Sequence, residues 1–108
     1  MSNHTPAPWS YWSGYNAVDK LEAQITAEGG DIVIACYNSL IEQGEANACL
    51  MAAAPDLLAD LEEAAKTLRR YEVLHWAKET NESDAKAKVN GDLAARFERT
   101  IDKARGKP

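Results

Sequence analysis

Three cations, Arg96, Arg99 and Lys103, recur at spacings of three and four near the end of the chain. On a helix this spacing places them on one face. Guanidinium groups one turn apart can grip one or two phosphates through paired hydrogen bonds. Arg69 and Arg70 form a second basic pair that can face this stripe, in the same subunit or across a dimer. Tyr71, Trp76 and Phe97 offer flat surfaces for a nucleobase, a contact worth ~1–3 kcal/mol per base in single strands. Asn90, or Asn81, carries an amide that can read a base edge, and Lys86 and Lys88 add charge nearby. The chemistry expected of this set is non-covalent capture of a nucleotide-type anion. Arg96, Arg99, Lys103, Arg69 and Arg70 are the phosphate candidates, and Tyr71, Trp76 and Asn90 the base candidates. Each side chain also has a plainer role: the arginines can pair with Glu62, Glu63 or Glu72, Phe97 can be core, and a charged helix face is ordinarily solvated.

Catalytic constellations are harder to find. His4 and His75 are far apart, and no Cys/His spacing suggests a zinc site. Cys36 follows a β-branched run that points it toward the core or a neighbour, and Cys49 lies in an alanine-rich segment. Neither has the basic surroundings that would lower a thiol pKa. Glu62-Glu63 reads as a charged helix face, and Gly29-Gly30 lacks a following helix and the phosphate-loop pattern. The expectation is a protein with no enzymatic activity, no metal and no cofactor.

At 108 residues and 45% hydrophobic content, the chain supports one compact domain with a modest core. The formal net charge of −5 argues against direct DNA binding, which calls for a basic surface. The charge is unevenly spread: residues 1–82 hold 5 Lys/Arg against 13 Asp/Glu, and residues 83–108 hold 7 against 4. The opposite signs can pair within a subunit or between subunits, or the basic end can hold a small anion. Two cysteines without a secretory leader read as free, buried thiols in a reducing compartment. No run approaches the ~18 apolar residues of a membrane helix. A cytoplasmic location in a host cell is expected, without membrane partners.

The elements that must position these residues follow from periodicity. Two prolines exclude a helix in residues 1–8, which are expected to be flexible or extended. The segment 9–12 is aromatic enough for a strand, and Ser13-Gly14 reads as a turn. Leu21, Ala23 and Ile25 alternate as in a half-buried strand. Glu28-Gly29-Gly30-Asp31 is a tight turn, and Ile32 to Tyr37 is the clearest strand. A first short helix is expected over 45–54, with Pro55 opening a second that runs to about Thr80. Leu57, Leu61, Ala64, Leu68, Tyr71 and His75 form its heptad-like seam. Ser83 is the expected N-cap of a last helix over 84–105. That helix carries Val89, Leu93, Phe97, Ile101 and Ala104 at helical spacing, with Asn90-Gly91 as a weak point. The fold class is α+β: a small N-terminal antiparallel sheet of about three strands over 9–37, then a long antiparallel helical hairpin within 45–105, all in a single domain. Such a thin core, with an unmatched seam, predicts a homodimer or higher symmetric oligomer.

His4-Thr5-Pro6-Ala7-Pro8-Trp9 and Ala46-Asn47-Ala48-Cys49-Leu50-Met51-Ala52-Ala53-Ala54-Pro55-Asp56-Leu57-Leu58 resemble a widespread group of small phage and prophage proteins. That group opens with His-Thr-Pro-x-Pro-Trp and carries Ala-Asn-Ala-x-Leu-x-Ala-Ala-Ala-Pro-x-Leu-Leu before a helical tail. A small sheet followed by two long helices in a symmetric assembly is also similar to the first of the Thoeris anti-defence sponge families. Members of that family bind cyclic ADP-ribose isomers, and some bind cyclic oligonucleotides, without cleaving them. The resemblance implies an anti-defence protein that sequesters a cyclic nucleotide or cyclic ADP-ribose-type immune signal. The alternative is an inhibitor that lays its helical hairpin against a host defence or regulatory protein.

Overall fold

The computed structural model describes residues 3–15, 18 and 21–107. They form two compact units, residues 1–57 and 58–108, each described by itself below.

The first unit is built on a three-stranded antiparallel meander: β1 (Trp9–Tyr15), β2 (Leu21–Ala27) and β3 (Ile32–Cys36), in the spatial order β1-β2-β3. β2 is central, and its period-two pattern does what the sequence predicts. Ala23, Ile25 and Ala27 point to one face and are buried, with Ile25 fully enclosed. Across β1 they stand opposite Ser13, Tyr11 and Trp9. The opposite face carries Trp12 beside Gln24 and Ser10 beside Thr26. The β2–β3 register shifts between Ile25 and Thr26, where a bulge strengthens the local twist. The turn predicted at residues 28–31 is a short 3₁₀ segment, Glu28–Gly30, with Gly29 at φ 66° and Gly30 at φ 101°. Only glycine adopts both values without a steric cost.

One local expectation fails here. Ser13 and Gly14 do not turn; they pair with Ala23 and Glu22 inside β1. Residues 3–8 form no helix and no strand, and two of them contact Trp9. The Trp9 indole N–H donates to the Thr5 carbonyl at 3.0 Å, and the His4 ring meets Trp9 edge-on at 6.0 Å. A cis Ala7–Pro8 peptide lies between them. Residues 1 and 2 of the expected flexible segment lie outside the described residues.

The buried sheet face meets the first turns of α1 (Gly44–Trp76). Ala48 is fully buried there, and the Tyr11 hydroxyl is hydrogen-bonded to the Cys49 thiol. The expectation of buried thiols is corrected: both Cys36 and Cys49 are free and exposed. Cys36 stands opposite Gln24, on the open side of the sheet rather than in the core. α1 also differs from the expected helix, break and helix. It runs unbroken for 33 residues with Pro55 inside it. Pro55 removes one i→i−4 bond, the one Met51 would receive, but its ring is buried, and packing offsets the lost bond.

The second unit comprises residues 58–76 of α1, the connection 77–80 and α2 (Asn81–Ala104). α2 starts three residues earlier than expected. Thr80, not Ser83, is the N-cap, and its Oγ1 accepts the Ser83 amide at 3.1 Å. Glu82 and Asp84 complement the positive end of the helix dipole. The helices are antiparallel: Arg105 pairs with Glu62, and Arg69 with Glu98. This unit is the predicted hairpin, but its seam is not the predicted one. α2 buries Ser83, Ala87, Gly91 and Ala94, and α1 contributes buried Ala65. Of the expected seam, Val89 is 65% exposed, Leu57 and Tyr71 are each 51% exposed, and Ala104 is exposed. Leu61, Leu68, Leu93, Phe97 and Ile101 are half-buried. Small side chains let the two backbones approach closely, and the large ones are pushed to the flanks. Among the described residues no helix is long and apolar enough to cross a membrane.

Candidate functional site

The end of α2 is shaped by a Schellman closure. Gly106 adopts φ 72°, its amide donates to the Lys103 carbonyl at 3.1 Å, and the Lys107 amide donates to the Asp102 carbonyl at 2.8 Å. This reversal folds Lys107 back beside the last helical turns. Arg99, Asp102, Lys103, Gly106 and Lys107 together line a cavity of about 570 Å³. Three cations against one carboxylate give its wall a net positive charge. Among the described residues no carboxylate lies within ion-pair distance of Arg96, Arg99 or Lys103. Two of the predicted phosphate candidates, Arg99 and Lys103, are thus brought together. Lys107 joins them, although the sequence reading missed it. Its signal was present in the i, i+4 spacing after Lys103, but it needed the left-handed turn at Gly106 to count. Arg96 is exposed one turn earlier.

Arg69 has a different role from the one its type suggests. Its Nε and Nη2 donate to the two oxygens of Glu98 at 3.2 and 2.5 Å, and its Nη1 donates to Glu72 at 3.0 Å. These hydrogen bonds raise the guanidinium pKa further above its ordinary value, and the Arg69 hydrogen bond holds the Glu98 carboxyl below its own. A guanidinium with two carboxylates already on it is a helix-to-helix clasp. Arg70 is exposed on α1, outside the cavity.

The base candidates separate as well. Tyr71 and Trp76 are 51% and 48% exposed, and neither is among the residues lining the cavities described here. Asn90 lines a second cavity of about 420 Å³ with His75, Ala85, Lys86 and Val89. The His75 Nδ1 is buried there without a hydrogen-bond partner among the described residues. Lys86 at its rim pairs with Glu82 at 3.3 Å, and Lys88 pairs with Asp92 at 2.7 Å, which raises its pKa. Asn90 and Lys103 are thirteen residues apart on α2, or ~20 Å along the axis. The nearest lining residues of the two cavities, Asn90 and Arg99, are ~14 Å apart along the helix. Among the described residues no group of three or more His, Cys, Asp or Glu side chains could hold a metal.

One family model, described as Salmonella phage P22 protein Y8K6, matches residues 1–108. Neither the curated proteins nor the solved structures contain a match to this chain.

Proposed function

This chain belongs to the Salmonella phage P22 protein Y8K6 family, and on that premise we propose that it is a phage accessory protein that sequesters a nucleotide-type anion without cleaving it. The observation that carries this reading is the cavity of Arg99, Lys103 and Lys107, whose cations have no carboxylate within ion-pair distance among the described residues. Charge-assisted hydrogen bonds from such groups suit a phosphate or pyrophosphate. The ligand class is a cyclic nucleotide or a cyclic ADP-ribose-type signal, and the protein acts by holding it below its receptor's threshold. The reading assigns no catalytic residue.

The reading joins the two cavities through a second copy of the chain. In a twofold assembly with antiparallel α2 helices, the cationic end of one chain stands beside Asn90, Tyr71 and Trp76 of the other. The half-buried Leu61, Leu68, Leu93 and Phe97 supply the apolar surface for that contact. Native mass spectrometry with a panel of cyclic nucleotides and cyclic ADP-ribose isomers tests both parts. Mass additions at whole-number ratios to an oligomer are expected. The Arg99→Ala, Lys103→Ala double variant should lose about 100-fold or more in affinity, since each charged hydrogen bond contributes ~1.5–3 kcal/mol, and should keep the oligomer. Undiminished binding in that variant overturns the site.

A second reading rests on Val73 and Trp76, three residues apart on one face at the end of α1 and 65% and 48% exposed. This is an apolar surface of the kind that docks a protein partner. On that reading the chain inhibits a host defence or regulatory protein. An oligomer that ignores the whole nucleotide panel but forms a discrete complex with a host protein, lost on Trp76→Ala, selects it.

A further inference from the structure

The open face of the sheet has a composition different from either cavity of the helical hairpin. On β1 and β2, Trp12 stands opposite Gln24 and Ser10 opposite Thr26, two neighbouring rungs on one side. These four side chains and the backbone of Gly29 and Gly30 line a cavity of about 450 Å³, within the ~300–1,000 Å³ usual for small-ligand sites. The indole of Trp12 lies back over Gly14: a Cβ at position 14 would meet its ring at 2.8 Å. The ring is therefore set against the backbone at Gly14, and 47% of the residue remains open to solvent. Nothing lies within 4 Å of where a Cβ would stand on Gly29 or Gly30, so their peptide groups are accessible at the rim.

The lining holds a flat aromatic plate, one carboxamide, two hydroxyls and bare peptide groups, and no ionisable side chain. The carboxamide and hydroxyls both donate and accept. An aromatic face carries negative partial charge, which attracts the weakly positive C–H groups on one face of a pyranose ring. The surrounding charge separates this ligand class from a nucleotide. Residues 1–57 contain one lysine against seven Asp/Glu, a field that repels phosphate and leaves an uncharged ligand unaffected. We infer that this face is a binding site for an uncharged saccharide, with a pyranose ring stacked on Trp12 and its hydroxyls bonded to the exposed Ser10 and the half-buried Gln24, above the buried Thr26. This site is separate from the proposed anion site and does not depend on it.

The test uses the full chain with isotope-labelled tryptophan side chains, read by the indole N–H resonances. The probes are neutral methyl pyranosides and neutral disaccharides at millimolar concentration, with uncharged nucleosides as the comparison arm. The expected result is a saturable shift of the Trp12 resonance with a saccharide, while Trp9 and Trp76 stay in place. Gln24→Ala should weaken the affinity at least tenfold with the fold intact. Trp12→Ala should abolish binding, and the Gln24 variant keeps the proposal testable if Gly14 needs its indole cover. Three results overturn the inference: no saturable Trp12 shift with any saccharide, a shift with nucleosides alone, or an unchanged affinity in Gln24→Ala. A Trp12 resonance that moves with protein concentration alone, with no response to saccharide, overturns it in favour of self-association through this face.

Discussion

Gly91 of α2 lies against Glu72 of α1, so closely that a Cβ at position 91 would stand 2.1 Å from the Glu72 Oε2. The missing side chain is what admits the carboxylate to the seam, where its other oxygen accepts from Arg69. Gly91→Ala gains ~1 kcal/mol of helix propensity and must push the flexible end of Glu72 outward, breaking its pair with Arg69. The two effects are of similar size, so urea denaturation should find this variant within about 1 kcal/mol of the parent. Gly91→Leu leaves no such escape and should cost ~1–3 kcal/mol through overpacking. A fully tolerated leucine would show that the seam is wider than described.

The clasp of Arg69 and Glu98 predicts a pH dependence. The Glu98 carboxyl is held below its ordinary pKa by the Arg69 hydrogen bond. Its contribution to stability is therefore present above the unfolded-state pKa and is lost as pH falls through the folded-state value. Both side chains are 41–45% exposed, so solvent screens the pair and the effect is small. Glu98→Gln should flatten the acid limb of the stability profile and leave its alkaline limb unchanged. An acid limb as steep as the parent's would place the acid-sensitive group elsewhere.

Thr80 caps α2 through the Ser83 amide. Thr80→Ala should cost ~1 kcal/mol, within the 0.5–2 range for such caps, while Thr80→Ser restores most of it. The comparison is a pair of thermal or urea unfolding curves. Equal stability of all three proteins would remove the cap from the account of how α2 begins.

Tyr11 should titrate above the ordinary phenol value, because the hydrogen bond and charge interaction with Cys49 oppose its ionisation, reinforced by Glu45. A raised phenol pKa contributes stability below the unfolded value, lost as pH rises through the folded one. Cys49→Ala should bring the phenolate transition back toward its ordinary position, measured by absorbance and assigned by difference against Tyr11→Phe. A transition that does not move would dissociate Tyr11 from α1.

Much of the fold is legible where the signal is local. The alternation of Leu21, Ala23 and Ile25, the paired glycines after Glu28 and the apolar run from Ile32 each specify an element without help from elsewhere. Ser13-Gly14 misleads because turn propensity is weak against a complete set of cross-strand partners. Pro55 misleads because a buried ring compensates for one missing bond. The seam of α2 is hidden for a different reason. Ser83, Ala87, Gly91 and Ala94 recur at four, four and three, but a search for large apolar side chains passes over small ones and selects Val89. In the candidate site, the grouping of Arg99 with Lys103 is legible from spacing alone. The loss of Arg69 to Glu98 is not, because it depends on the register of the two helices, and no short-range pattern encodes that. The pairing of Arg69 with Glu72, three residues apart, is open to a reader of the sequence.

α1 supplies fourteen residues, 44–57, to the first unit and nineteen, 58–76, to the second. An isolated helix shorter than about 12–15 residues is marginal in water, so the fourteen-residue portion gains most from being continuous with the nineteen-residue one. Severing the chain near Leu57 would remove more than contacts; it would return each half to the costly nucleation step of helix formation. A helix break near Leu57 is therefore expected to lower the helicity of residues 44–57 most, a loss that far-ultraviolet circular dichroism would read.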